Sequence, residues 1–540
     1  MLPIDEIASR MGLDQGKIIP YGHYKAKIPL EVMGNLENRG KLVLVTAVTP
    51  TKAGEGKTTT TVGLTQALGK LGYRAAATLR EPSLGPIFGI KGGGTGGGKS
   101  LVVPSDEINI HFTGDAHAVS SAHNLLAALT DNAVQREKIN GFTPKGITWR
   151  RVTDVEDRAL RHIVTGIGGK NNAPMRESGV DIVTASEIMA ILALSSDLED
   201  LRSRLKKMVV GMTSDGSPVT AEDVNSVGSM MSLLRYAIQP NLVQTQEGQP
   251  VLIHTGPFGN IAHGCSSVIA DKMALGYSDF VVTEAGFGAD LGFEKFMDIK
   301  ARFNDLLPNV VVLVATVKAL KSHGGVKVKD LEIPNELSVE KGSENLTHLI
   351  EVVRSFGLPV IVAINEFPSD TLKELEIIQN RSQSAGAIAA VRSTVFNDGG
   401  LGGVDLANAV VEASKEVLPE VSYPYLEEDP IEEKVLALAT KIYGASDVVW
   451  SKSSRRTLKT FEQNGWGSLP VCMAKTPLSI SHDPKLIGRP SDYIFEVSDV
   501  RASVGAGFIY PIAGSVITMP GLPGVPRALD VDSQGHVQGL

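Results

Sequence analysis

Residues 51–60 read Thr-Lys-Ala-Gly-Glu-Gly-Lys-Thr-Thr-Thr, an order that carries the means to hold a polyphosphate. Glycines at 54 and 56 let the backbone turn sharply and aim its N–H groups at one anion. Lys57 would neutralise β and γ oxygens, and the Thr58 hydroxyl would serve a magnesium ion beside them. The strict phosphate-loop pattern begins with glycine, whereas Thr51 stands there in this chain, so Gly56, Lys57 and Thr58 match as written. The candidate nucleotide contacts are Thr51, Lys52, Ala53, Gly54, Glu55, Gly56, Lys57 and Thr58. The competing reading, a tight strand-to-helix turn without a ligand, gives the lysine no purpose.

Other residues of chemical interest lie further along. Arg80 follows a run of small residues and precedes Glu81-Pro82-Ser83. A guanidinium there can grip a carboxylate or phosphate through two parallel hydrogen bonds, or it can pair on the surface with Glu81. Asp115 either caps the helix it precedes or faces the site as a base. Glu284 ends an apolar run, the place for a carboxylate that holds magnesium or its water shell, with a helix cap as the other role. His263 and His323 adjoin glycines and suit phosphate binding or loop hydrogen bonding equally. His117 and His123 are spaced wrongly to act as a ligand pair on one helical face. Residues 85–100 are too glycine-rich for a packed element, and the interleaved Phe88, Ile90, Lys91 and Lys99 favour a loop that approaches a ligand over a flexible linker.

The elements that must position these residues are legible as alternating patterns. Residues 42–48 form a continuous β-branched run of the kind a parallel strand buries on both faces, and Val62, Leu64, Leu68 and Leu71 recur at helical spacing after the loop. Further strands are expected at 74–79, 251–255, 280–283, 310–316 and 360–364, each ending in polar or glycine residues. In a parallel sheet ligands gather at the carboxyl ends of the strands, so Arg80 would lie beside the phosphate loop if those two strands are neighbours. Residues 1–40 read as a helical lead-in with Ile4, Ile7 and Met11 on one face and Pro20 as its end, without chemistry. Residues 106–112 alternate like a strand. Residues 184–190 suggest a capping box before an apolar helix.

Beyond 366, helices are expected near 369–382, 404–417 and 430–443, with strands near 386–396 and 469–474, and 519–526 reads as a rigid irregular segment. The fold class is α/β: a large, doubly wound, mostly parallel sheet with a phosphate loop, plus smaller α/β domains. Residues 1–134 and 241–365 would build the nucleotide domain, 135–240 an inserted helical and mixed segment, and 366–540 a C-terminal α/β region of one or two small domains.

Bulk properties narrow the function. The 540 residues suffice for two to four domains, and 42% hydrophobic with 21% charged residues is ordinary for a globular protein. A net charge of -8 argues against a general nucleic-acid surface. Two cysteines in unrelated contexts, Cys265 and Cys472, fit a reducing compartment and neither a disulfide framework nor a zinc site. The amino terminus lacks a basic start with an apolar core, and no run of about 18 apolar residues occurs, so a cytoplasmic protein without a membrane partner is expected.

Taken together, residues 51–58, 80–98, 111–115, 185–190, 256–264, 284–292 and 519–523 make the chain resemble the formate–tetrahydrofolate ligases from about residue 20 to about residue 527. A phosphate loop without its first glycine is itself usual in that family. The resemblance implies ATP-dependent joining of formate to tetrahydrofolate through formyl phosphate, giving 10-formyltetrahydrofolate, ADP and phosphate, in a cytoplasmic homotetramer that uses Mg2+ and a monovalent cation, K+ or NH4+. By resemblance Lys57 and Thr58 serve phosphoryl transfer, Arg80 holds formyl phosphate, and Phe287 with the backbone near Gly259 forms the adenine site. Phe367 and Phe396 sandwich the pterin, while Glu81 and Asp115 relay the proton of N10. Departures are Phe396 where tryptophan is usual, Lys99 for tyrosine, Gly259 for alanine and Lys52 for proline. They touch affinity more than activity. A second class, a deviant phosphate-loop switch or partitioning ATPase, fits residues 52–58 approximately but lacks a basic arm or a basic amphipathic helix.

Overall fold

The computed structural model describes residues 1–34, 40–52, 54–89, 93–169, 171–416, 420–535 and 537–539. Ala53, Ile90 and Lys91, singled out above, lie outside these residues. The protein is an α/β structure built on a mixed 12-stranded sheet. Its strands are β1 (Ile19–Pro20), β2 (Ala26–Lys27), β3 (Lys41–Ala47), β4 (Ala75–Leu79), β5 (Gly96–Gly97) and β6 (Ser100–Val103), followed by β7 (Asn241–Thr245), β8 (Pro250–Ile253), β9 (Phe280–Glu284), β10 (Val310–Ala315), β11 (Val360–Asn365) and β12 (Ala389–Ser393). The order across the sheet is β1-β2-β7-β8-β4-β9-β3-β10-β11-β12, with β6 pairing β7 and β5 pairing β6. From β8 to β12 every neighbouring pair is parallel, whereas β1, β2, β6 and β7 attach antiparallel at one side.

The continuous apolar runs follow from burial on both faces. Leu42 and Leu44 of β3 join one core cluster while Val43, Val45 and Ala47 join another, and Val311 and Leu313 of β10 alternate with Val310, Val312 and Val314 in the same way. Helices α2 (Lys57–Lys70) and, later in the chain, Val404–Ala413 cover one face through Leu64, Ala67, Leu68, Leu406 and Val410. Helix Glu336–Ser355 supplies Leu346, Leu349, Ile350 and Val353 to the other. Each such leucine, isoleucine or valine contributes about 1.5–3 kcal/mol on burial, so the sheet is held from both sides.

Several sequence expectations need correction. The first helix, α1 (Ile4–Met11), stops at the left-handed Gly12, not at Pro20, and the lead-in goes on to supply β1 and β2. Residues 106–112 are not a strand: Ser105–Asn109 is a short helix, and the strand of that region is β6. The glycine-rich stretch holds the helix Leu84–Phe88 and the short β5, which pairs with β6, so it is not wholly loop. Near 469–474 only isolated bridges at Val471 and Ala474 occur among the described residues. Ser186 caps helix Glu187–Leu194 through the N–H of Ile188, without a reciprocal glutamate bond. β12 pairs in parallel with β11, so residues 389–393 belong to the central sheet despite lying beyond 366. Most consequential is that β9 lies between β3 and β4. The loop strand and the Arg80 strand are therefore not neighbours; the strand ending in Glu284 separates them.

Candidate functional site

Because β3, β4, β9, β10 and β11 are parallel, the residues that follow them gather at one end of the sheet. Gly54 and Gly56 adopt φ of 75° and 79°, the left-handed region. A Cβ on Gly56 would lie 2.4 Å from Asn365 Nδ2, so close packing as well as conformation demands glycine. Asn365, the last residue of β11, donates to the Glu55 carbonyl at 3.3 Å. Glu55 stays inside the loop: its Oε1 accepts from the Thr51 N–H at 2.6 Å and the Thr51 hydroxyl at 3.2 Å. Burial pushes the Glu55 carboxyl up, partly opposed by Lys57, whose Nζ is 4.0 Å away. That ion-pair distance is long, which leaves the ammonium available to an incoming anion.

The entry to the loop is clamped from behind. Thr49 gives its carbonyl to His323 Nε2 at 2.8 Å, its hydroxyl accepts from Asn345 Nδ2 at 2.9 Å, and the Asn345 amide also donates to the Gly488 carbonyl at 2.9 Å. Burial lowers the His323 pKa and keeps the ring neutral, so of the two roles open to it in the sequence this ring takes loop hydrogen bonding. His263 is fully buried with neither ring nitrogen partnered among the described residues, and desolvation with Lys300, Lys295 and Arg80 nearby holds it well below the ordinary imidazole value.

Glu284 occupies the centre. Thr58 Oγ1 donates to its Oε2 at 2.8 Å, and Arg80 Nη2 approaches its Oε1 at 3.9 Å. As the last residue of β9 it is no helix cap. Arg80 thus faces Glu284, not Glu81, and its Nε is buried without a partner among the described residues, an orphan donor that a carboxylate or phosphate would satisfy.

The residue after Arg80 is a second acidic group. Glu81 is buried, and its carboxyl is pushed well above the usual range, first by desolvation and then by the negative charge of Asp115, with which it shares a hydrogen bond. Asp115 opens helix Asp115–Gln135, but the cap position is Gly114 and the carboxylate makes no cap. It pairs instead with Lys27 of β2 at 2.8 Å and accepts from Asn241 Nδ2 of β7 at 2.8 Å. Lys27 and Asn241 escaped the sequence reading because neither sits in a motif; the only signal was a lysine beside an apolar residue in a lead-in assigned no chemistry.

The aromatic candidates fall at two places. Phe287, at φ 61°, packs so close to Gly259 that a Cβ there would be 3.1 Å from its ring. Phe367 follows β11 and lies under Lys318 Nζ at 4.9 Å, while Phe396 follows the adjacent β12 and is 49% exposed. The Lys99 N–H donates to the Phe396 carbonyl at 2.8 Å, and Gly97 packs on its ring, so the glycine-rich stretch borders this aromatic. A separate cavity of about 630 Å3, walled by His123, Trp149, Glu187, Phe461, Trp466 and Tyr510, holds none of the candidates, and its arginines are already paired, Arg150 with Asp181 and Arg501 with Asp499.

The family profile described as Formate--tetrahydrofolate ligase matches residues 1–540. The chain is 51% identical over 551 residues to the Formate--tetrahydrofolate ligase of Roseiflexus sp. (strain RS-1), and 51% identical over 553 residues to that of Desulforamulus reducens, covering 100% of this chain and 97% of each relative. The chain belongs to the formate–tetrahydrofolate ligase family. The switch or partitioning ATPase alternative finds no support in these comparisons. In this formate–tetrahydrofolate ligase chain, no described helix is long and apolar enough to cross a membrane. The described residues also contain no group of three or more His, Cys, Asp or Glu able to hold a metal.

Proposed function

We propose that the ligation of formate to tetrahydrofolate at the expense of ATP, the reaction that family membership carries, runs here through formyl phosphate in the crevice around Glu284. The observation that carries this reading is the single carboxylate facing both Thr58 and Arg80. Formate is a resonance-stabilised anion and a poor electrophile. Transfer of the γ-phosphoryl group to a formate oxygen breaks the bond to ADP and creates a good leaving group on the formyl carbon. N10 of tetrahydrofolate then attacks that carbon, phosphate departs, and the proton of N10 passes through Glu81 and Asp115 to the phosphate.

Each residue has a role in that sequence. Lys57 and the loop N–H groups of Lys52, Glu55 and Gly56 neutralise the charge that spreads over the γ oxygens, the Thr51 and Gly54 N–H groups shape the loop through their bonds to Glu55 and to the Thr51 carbonyl, and Arg80 holds the carboxylate that becomes formyl phosphate. The Thr58 hydroxyl and Glu284 carboxylate are hard oxygen donors that suit Mg2+, which supplies charge neutralisation at the phosphates when bound. Phe287 and Gly259 receive the adenine, and Phe367 and Phe396 the pterin. Ala53 belongs to the same loop by sequence. The reading extends to a doubly wound phosphate-loop domain from residues 1–134 and 241–365, with β12 added, the 135–240 insertion, a smaller C-terminal body, and a cytoplasmic homotetramer helped by a monovalent cation. Buried, unpaired Cys265 and Cys472 agree with that compartment.

The test is product formation. ADP release that requires formate and tetrahydrofolate together is expected, and Lys57→Ala should lower kcat by about 100- to 1,000-fold, the loss seen when one transition-state donor is removed. A Lys57→Ala enzyme with near-normal ligation would remove the site assignment.

A further inference from the structure

Lys27 is a buried lysine that comes from outside the crevice yet reaches its acid–base pair. Its Nζ contacts both Asp115 oxygens, at 2.8 and 2.9 Å, and donates to the Gln239 carbonyl at 3.0 Å. Asn241, its register partner across β2 and β7, donates to Asp115 at 2.8 Å while accepting from the Thr113 hydroxyl at 2.6 Å. The Asp115 carboxylate is thus held in contact by an ammonium and an amide, whereas Glu81 meets Asp115 itself, with Lys27 opposing that charge less strongly and Asp154 adding to it. The other ionisable groups facing the pair do not reverse this asymmetry. Asp154 is bonded by Ser83 and faced by His111, and His254, tied to Ser267 and the Ala237 carbonyl, is lowered to about 4 by burial and stays neutral.

We infer that Lys27 is a positioning residue for the ligation: its ammonium, with the Asn241 amide, holds the Asp115 carboxylate and so leaves the one proton of the Glu81–Asp115 pair on Glu81, the residue that follows Arg80 in the chain. This rests on the reading that Arg80 holds the one-carbon acid. The single-proton state is the serviceable one. A pair with two protons has no oxygen free to take the N10 proton, and a pair with none sets two negative charges beside anionic formate. Lys27 makes its contacts to Asp115 and acts through it, its direct pull on Glu81 being the smaller.

The experiment compares pH profiles of kcat for the wild type, Lys27→Met and Lys27→Arg with ATP, formate and tetrahydrofolate saturating. Loss of the cation should let the pair take its second proton more readily, moving the acid limb of the Lys27→Met profile upward by about one pH unit or more, with the KM for ATP unchanged. Lys27→Arg should restore the limb. A Lys27→Met enzyme whose rate falls with an unmoved limb overturns the inference, because a merely structural lysine predicts that. Should Lys27→Met fail to fold, Asn241→Ala is expected to move the limb the same way by less, and an unmoved limb there is equally fatal. Infrared difference spectroscopy adds a second reading: the wild-type minus Glu81→Gln spectrum should show a positive protonated-carboxyl band, over and above the carboxyls such as Glu187 common to both, and its absence from that difference refutes the assignment. Wild-type protein that does not ligate formate sinks the parent reading instead.

Discussion

Glu284 lies where two side chains converge, Thr58 from the first turn of α2 and Arg80 from just past β4, and Arg80 is the weaker of its two contacts. At 3.9 Å, Arg80 gains little from Glu284, while its Nε has no partner among the described residues. Arg80→Ala is therefore expected to raise the KM for formate about ten- to hundredfold, the worth of a hydrogen-bonded charge at about 1.5–3 kcal/mol, with ATP affinity by calorimetry unchanged. Weakened ATP binding with intact formate kinetics would move Arg80 to the nucleotide. Phe396 offers a gain in place of a loss. Its ring is 49% exposed and backed by Gly97 on one edge, so a larger ring can extend outward. Phe396→Trp should tighten tetrahydrofolate binding by a few-fold, since ring stacking is worth about 0.5–1.5 kcal/mol beyond burial, and fluorescence titration would read it. Unchanged or weaker binding removes the sandwich at that position. The loop at 51–58 stood out in the sequence because glycines, lysine and threonine at fixed spacing have few other uses, Arg80 kept two roles open, and Phe396 took its role by resemblance alone; Lys27 and Asn241 left no signal, because a buried contact between distant segments makes no local pattern.

At the scale of elements, helix Glu187–Leu194 is stapled to the hairpin formed by strands Asp499–Ser503 and Phe508–Ile512: Glu187 Oε1 accepts from the N–H groups of Gly505 at 2.7 Å and Ala506 at 3.2 Å. Burial raises this carboxyl to about 7 against the lowering pull of those bonds. The folded pKa lies above the unfolded 4.5, so Glu187 stabilises fully below pH 4.5, and that contribution is lost as pH rises through about 7. Subtracting the Tm of Glu187→Gln from that of the wild type should give a difference that falls across this window, and a flat difference would contradict the assignment. Elements buried on both faces were the easiest to place from sequence, as β10 and β11 are, since nothing polar interrupts them. Residues 106–112 misled because Asp106, Ile108 and Ile110 alternate like a strand, while Ile108 and Asn109 in fact bury one side of a single helical turn.

For the whole molecule, the α/β class was readable from the alternation of apolar runs and helical spacing, but the strand order was not. Nothing in β3, β4 or β9 says that the last of them in sequence inserts between the first two; that order is set by which helices cover which face, a property of the assembled sheet. The same holds for β2, a two-residue strand that takes its place only because β7 exists to receive it. A timing consequence follows for synthesis. Lys27 leaves the ribosome 212 residues before Gln239, whose carbonyl will accept from it, so its amine must stay hydrated while about two-fifths of the 540-residue chain is made. The sheet margin closes out of order, and on the reading proposed above a nick near the amino terminus would spare the 51–58 loop while releasing Asp115 from Lys27.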